Sequence, residues 1–144
     1  QGTAVVAYHK KANTGTYSAP NCTYYGTYAR IYDPVNSFSQ TYRLDSGLGD
    51  SMHVKVSINT NGQAVAIWEE KRGTTVYVFI KKYSGGTWSA AEEVAVSNTT
   101  DTDPMWPSAR INDKGEIFVT YSVGKYTSKS SDTRHQYGKI YAIY

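Results

Sequence analysis

Apolar and polar residues alternate with a period of two along much of this chain, and nowhere do apolar residues recur at helical spacing over three turns. His53-Val54-Lys55-Val56-Ser57-Ile58 is the plainest case, the pattern of a strand with one buried face. Turn chemistry follows it: Asn59-Thr60-Asn61-Gly62, and later Asn112-Asp113-Lys114-Gly115, supply residues that accept the positive backbone angles of tight hairpins. Asp33-Pro34-Val35-Asn36 and Ser84-Gly85-Gly86 mark further turns. Pro104 and Pro107 flank Trp106 and place it at a strand entrance rather than in mid-strand. The expectation is an all-β chain.

The strand pieces recur. Gly2-Thr3-Ala4-Val5-Val6-Ala7-Tyr8, Gly62-Gln63-Ala64-Val65-Ala66-Ile67-Trp68 and Gly115-Glu116-Ile117-Phe118-Val119-Thr120-Tyr121 each run from a glycine to an aromatic. Tyr28-Ala29-Arg30-Ile31-Tyr32, Phe79-Ile80-Lys81-Lys82-Tyr83 and Ile140-Tyr141-Ala142-Ile143-Tyr144 each close on tyrosine. Two copies share a later aromatic-serine pair, Phe38-Ser39 and Trp88-Ser89. Two share the segment before the glycine, Met52 to Asn59 and Met105 to Asn112. A period of about 50 to 60 residues made of strands predicts a blade-repeat architecture: one repeat domain over 1–144, with units near 1–50, 51–103 and 104–144.

In the middle copy the four strands are expected at His53 to Ile58, Ala64 to Trp68, Tyr77 to Lys82 and Trp88 to Val96. On that frame the chain starts inside a second strand and stops at the end of a third, leaving three incomplete four-stranded propeller-like blades. Closed propellers take about four to eight blades. The expectation is therefore completion by another copy, another chain or further repeats. The connection Glu69 to Thr75 is short, whereas its counterparts, His9 to Thr27 and Ser122 to Lys139, are long and rich in Ser, Thr, Tyr, Lys and Gly. Their tyrosines, Tyr17, Tyr24, Tyr25, Tyr126 and Tyr137, are the candidate assembly residues, because an aromatic with a polar tip suits an interface.

Composition narrows the partners. Fourteen tyrosines against three phenylalanines fit half-buried strands whose rings pack while the hydroxyls stay wet, or a dedicated recognition surface. The 15 basic residues are scattered and the net charge is only +3, so no nucleic-acid footprint is present. No apolar run of about 18 residues exists to form a spanning helix. Cys22 is the single cysteine, which excludes an internal disulfide and leaves a free thiol or a bond between molecules. The first residue is already strand-like, as in a processed end or an excised piece. Low charge with much Ser, Thr, Tyr, Asn and Gly leans towards an extracellular or cell-surface setting.

An Asn-x-Gly turn, an apolar strand ending in Trp or Tyr, a strand ending in Tyr, then Gly86-Thr87-Trp88-Ser89 and Pro107-Ser108-Ala109-Arg110-Ile111 together resemble the sialidase-type propeller repeats of bacterial secreted proteins. The likeness covers nearly the whole chain apart from the two long connections. It departs from the family at its signatures. Tyr83-Ser84-Gly85-Gly86-Thr87-Trp88 lacks the aspartate of the Asp-box, and neither Arg30-Ile31-Tyr32 nor Arg110-Ile111-Asn112 carries the family's Arg-Ile-Pro proline. The resemblance implies the blade and not the activity.

Catalysis finds no foothold in the residues. Glu69 and Glu70 are adjacent on a strand and would point to opposite faces, as would Glu92 and Glu93, so neither pair can flank a glycosidic bond. Arg30, Arg43, Arg72, Arg110 and Arg134 carry no sign of convergence, and His9, His53 and His135 lack metal-ligand spacing. The expected class is not an enzyme. For ligand binding the candidates are Trp106 as a sugar-stacking platform, with Asp101, Asp103 and Arg110 beside it, and His53 and Asp50 at the equivalent place one copy earlier. Recurring acids at Asp45 to Asp50 and Asp101 to Asp103 could begin a calcium site or serve turn chemistry; no cofactor is otherwise implied. Trp68 and Trp88 fit packing within the repeat frame. The reading is a structural subunit assembling with copies of itself as ring or filament, the alternative a lectin-like module that binds glycans.

Overall fold

The computed structural model describes residues 2–12, 24–35, 37–97, 103–124 and 137–143, with backbone alone for 12, 24 and 137–143. Among them are twelve strands and no helix: β1 (Ala4–Ala12), β2 (Tyr24–Asp33), β3 (Ser37–Phe38), β4 (Tyr42–Arg43), β5 (Asp50–Ile58), β6 (Ala64–Arg72), β7 (Thr75–Ser84), β8 (Thr87–Trp88), β9 (Glu92–Val96), β10 (Asp103–Ile111), β11 (Ile117–Gly124) and β12 (Tyr137–Ile143). They form three antiparallel sheets. The first orders β1-β2-β3 with β4 also on β2; the second orders β5-β6-β7-β8 with β9 also on β7; the third orders β10-β11-β12.

Strands run longer than the alternation pattern implies. Glu69 to Arg72 and Thr75 are strand, so Glu69 to Thr75 is not a connecting loop; only Gly73 and Thr74 turn, with Gly73 at a φ of 60°. The long connections shrink likewise, because His9 to Ala12, Tyr24 to Thr27, Ser122 to Gly124 and Tyr137 to Lys139 all pair in sheets. These segments are polar and so lack the apolar alternation by which strands are read, yet their backbone groups are satisfied by the ladder all the same.

Packing follows from alternation along the second strand of each copy. In β6, Val65 and Ile67 turn towards the third sheet and join Val78, Ile80, Ala109, Ile117, Val119 and Tyr121 in one core cluster. Ala66 and Trp68 turn the other way and pack with Ala29, Leu44 and Phe79 from the first and second sheets. The middle sheet is thus buried on both faces. Trp68 is fully buried and Trp88 packs half-buried against the same cluster, the packing use expected for both.

Two devices recur between copies and account for residues the repeat keeps. The fourth strand breaks in the same place twice, and each time a serine bridges the break. Ser39 Oγ accepts from the Ile31 N–H at 2.9 Å, and Ser89 Oγ from the Lys82 N–H at 3.1 Å. The hairpins after β5 and β10 are built alike too. Asn59 Oδ1 accepts from the N–H groups of Asn61 (3.1 Å) and Gln63 (2.9 Å), and Asn112 Oδ1 from those of Lys114 (3.0 Å) and Glu116 (2.9 Å). Gly62 and Gly115 take the left-handed position at 75° and 85°.

These hairpins also touch each other. Asn59 Nδ2 donates to the Asn112 carbonyl at 2.9 Å, the Thr60 N–H to Asp113 Oδ1 at 3.0 Å, and Asn61 Nδ2 to the Asp113 carbonyl at 2.8 Å. The Asn59 amide therefore closes its own turn and ties sheet to sheet, while the Asn112 side chain bonds, among the described residues, within its own hairpin. Replacing Asn59 with Ala should lower unfolding free energy by about 2 to 3 kcal/mol, and Asn112→Ala by roughly half as much. Urea denaturation midpoints of the two variants test the order; equal losses would show that the cross-sheet bond contributes nothing.

Candidate functional site

At the end of the sheets away from these hairpins, β5 and β10 each carry a β-bulge, with register shifts between Met52 and Lys55 and between Met105 and Ser108. The residue at the bulge is left-handed both times: His53 at a φ of 53° and Trp106 at 50°. Left-handed backbone costs a side chain with a Cβ roughly 1–2 kcal/mol, so a ring held there twice is a local anomaly of the kind that marks functional positions. Pro104 and Pro107 belong to this bulged strand. Trp106 consequently lies inside β10 and not at its entrance; the bulge takes Pro107 out of the ladder, whereas Pro104 stays paired with Val123 on a strand at the end of its sheet's order, where a missing N–H is tolerated.

A bulge frees a backbone N–H, and in both copies the residue after the second-strand aromatic of the preceding sheet caps it. His9, after Tyr8, accepts the Val54 N–H on Nε2 at 3.2 Å. Glu69, after Trp68, accepts the Trp106 N–H on Oε1 at 2.5 Å. The same Glu69 oxygen lies 2.9 Å from His53 Nδ1, and the His53 and Trp106 rings meet edge to face with centroids 6.4 Å apart. A polar seam therefore runs across all three sheets through His9, His53, Glu69 and Trp106.

Electrostatics along the seam are set by burial. Glu69 is fully buried, and burial pushes its carboxyl above the usual range, against the Trp106 N–H and His53, which favour the charged form. Its Oε2 is buried without a hydrogen-bond partner among the described residues. Glu70 points to the opposite face, as its place on the strand requires, and bonds Ser46 Oγ and, at 2.9 Å, Arg72 Nε. The two carboxylates share no site.

The recurring acids serve the fold. Asp50 Oδ1 accepts the Tyr25 N–H at 2.8 Å; Asp103 Oδ1 accepts from Ser97 Oγ at 2.6 Å, and Ser97 Oγ in turn takes the Val76 N–H at 2.8 Å. Tyr25 and Val76 hold equivalent places in their third strands, so each acid anchors the start of one. Asp45 holds the Thr27 N–H at 2.5 Å, the Gly47 N–H at 2.7 Å and Arg43 at 2.9 Å. No group of three or more metal-type ligands stands together among the described residues.

Of the sequence candidates, the structure brings His53 and Trp106 together. Arg110 does not join them: it sits four residues along β10, roughly 13 Å away at strand rise, exposed and donating to its neighbour's carbonyl. Asp101, Tyr17, Tyr126 and Cys22 lie outside the described residues, as do the side chains of Tyr24 and Tyr137, whose backbones are in β2 and β12. Tyr25 is strand and exposed. Glu69 and His9 were not among the candidates; their recurring place one residue after the second-strand aromatic was the signal. No protein-family model, curated protein or solved structure matches the chain.

His9 yields a pH prediction. Burial lowers its pKa first, nearby His53 lowers it further, and Asp50 and Asp45 oppose them. Its Nε2 accepts a backbone N–H, which only the neutral ring can do. As pH falls through about 6.5 the unfolded chain takes up the proton before the folded one, so this contribution to stability is present above that value and declines towards the folded pKa. Melting temperature should thus fall more steeply between neutral and mildly acidic pH in the parent than in His9→Gln, whose amide oxygen can still accept from Val54. Parallel curves would remove His9 from the account.

Proposed function

We propose that this chain is a non-enzymatic structural subunit that stacks head to tail with copies of itself, its sheets acting as blades of a propeller-like or open array. The observation that carries this is the unequal burial of equivalent positions. Val6 and Phe118 are 45% and 48% exposed, while their counterparts in the middle sheet, Ala66 and Val65, are fully covered by the sheets before and after it. Among the described residues, the outer, front side of the first sheet thus exposes Val6 and the outer, back side of the third exposes Phe118, at positions that a neighbouring sheet covers in the interior of the same molecule. Repeat equivalence is what favours a second copy as the occupant over an unrelated partner.

The front face is the more apolar. Tyr8 stacks on Tyr28 with centroids 6.0 Å apart, and Tyr32 meets Phe38 at 5.3 Å with the Arg30 guanidinium over the Phe38 ring. These positions correspond to Trp68, Phe79, Tyr83 and Trp88 of the middle copy, three of which pack in the core between sheets one and two. The resemblance to sialidase-type repeats of secreted proteins accords with blades, and with it a secreted or cell-surface setting. A lectin-like role is the second reading, favoured by the left-handed His53 and Trp106 rings, which lie side by side at one end of the sheets.

Complementary blocking tests the assembly. Val6→Asp should close the front face and Phe118→Asp the back, each reducing association at least about tenfold, since a charge must be desolvated in the contact. A mixture of the two variants should form a one-to-one dimer that grows no further, because each supplies the face the other lacks. Sedimentation velocity across a concentration series reads all three states. A parent that stays monomeric at high micromolar concentration, or a mixture no larger than its components, would refute head-to-tail stacking.

A further inference from the structure

At the hairpin end of the fold, opposite the His53–Trp106 seam, a cleft of about 440 Å³ opens between the first and second sheets. Its walls include Thr3, Asp33, Ser37, Asn61, Tyr83 and the glycines Gly62, Gly85 and Gly86, with Ile31 among the apolar surface. The volume falls in the range of small-ligand sites, roughly 300–1,000 Å³. Three features of the wall bear on what it takes. All three glycines are left-handed, at 75°, 59° and 87°, and around Gly85 and Gly86 the space a Cβ would take is open, so bare backbone faces the cleft there. Ser37 is a non-glycine residue held left-handed at 62° on the same wall. Asp33 contributes a carboxylate that, among the described residues, gives one oxygen, at 2.7 Å, to the Val35 N–H of its own turn.

We propose that this cleft binds one sugar unit, a neutral polyhydroxyl ligand held by Asp33, Asn61, the Tyr83 hydroxyl and the backbone of the glycine rim. The chemistry of the lining selects this class. Among the described residues no lysine or arginine lines the cleft, which leaves an anion without a counter-charge there. Hydroxyl, amide and carboxylate groups are mixed, and hydroxyls and amides both donate and accept, matching the alternating donors and acceptors of a polyol. An ammonium ligand would use Asp33 and leave the donor sides of the Thr3 and Ser37 hydroxyls unmatched; Asn61, whose Nδ2 already donates to the Asp113 carbonyl, offers its Oδ1. Burial raises the Tyr83 phenol further from ionisation, so it remains a donor at neutral pH. The cleft lies between two sheets of one chain and apart from both open outer faces, so its occupancy is independent of head-to-tail stacking.

The test is an amide chemical-shift titration of the ¹⁵N-labelled chain, in parent and Val6→Asp backgrounds, with the methyl glycosides of glucose, galactose, mannose and N-acetylglucosamine, and with butylammonium chloride. At least one glycoside should give saturable shifts at Gly62, Gly85 and Gly86 with a dissociation constant in the millimolar range, in both backgrounds. Asp33→Asn retains an oxygen for the Val35 N–H and should bind about tenfold more weakly, having lost a charge-assisted hydrogen bond. Its spectrum away from the cleft shows whether it is folded; Tyr83→Phe, which keeps the ring, should weaken binding in the same direction. Absence of saturable shifts with every glycoside, undiminished affinity in both variants, or tighter binding of butylammonium than of any sugar would each overturn the proposal.

Discussion

The middle sheet of this chain has two apolar faces, and a sheet with two apolar faces can be hidden only by a neighbour on either side. Everything else in the structure depends on that constraint. Along β6 the alternation sends Val65 and Ile67 one way and Ala66 and Trp68 the other, into two separate core clusters. The hydrophobic contribution is therefore divided between two interfaces, and neither the first nor the third sheet has a complete core of its own. Stability is shared between neighbours, and the middle sheet is the element that both flanking sheets need.

Polar residues set how neighbours align. Apolar faces of alternating small and large residues tolerate sliding, whereas a hydrogen bond does not. Three bonds between the Asn59 and Asn112 hairpins fix one end of the contact between sheets two and three, and the Glu69 carboxylate on the Trp106 N–H fixes the other. Between sheets one and two, His9 on the Val54 N–H plays the part of Glu69. A carboxylate and an imidazole thus fill one structural role at equivalent positions, and the two interfaces consequently respond differently to acid.

Much of the fold was legible because it rests on short-range rules. Alternation marked the strands, Asn-x-x-Gly tetrads marked two hairpins, and the recurrence of a glycine before an apolar run aligned the three second strands correctly. What failed to show was whatever depends on a partner strand. Glu69 to Arg72 reads as a polar connection, yet pairs residue by residue with Val78 to Thr75. Trp106 between two prolines reads as a strand entrance, and only the register shift against β11 reveals a bulge. The equivalence of His53 and Trp106 was visible, since both follow a methionine before the same strand. Their left-handed backbone was not, because histidine and tryptophan seldom adopt it. Arg110 looked near Trp106 in sequence, but the extended backbone of a strand separates residues that four positions of helix would bring together.

The tyrosine excess acquires a position-specific cause in this frame. Where the middle copy has Trp68 and Phe79 on the face turned to the first sheet, the first copy has Tyr8 and Tyr28 on the corresponding outward face. A ring with a hydroxyl packs nearly as well as one without, yet keeps a hydrogen-bonding tip for water when the face is uncovered. Placing tyrosine there lowers the penalty of exposure while retaining ring area that a neighbour could bury, and the Arg30 and Arg43 guanidinium groups over Phe38 and Tyr28 add further cover. On the stacking proposal, such a face would favour reversible association over the permanent closure that a Trp68-like surface would impose.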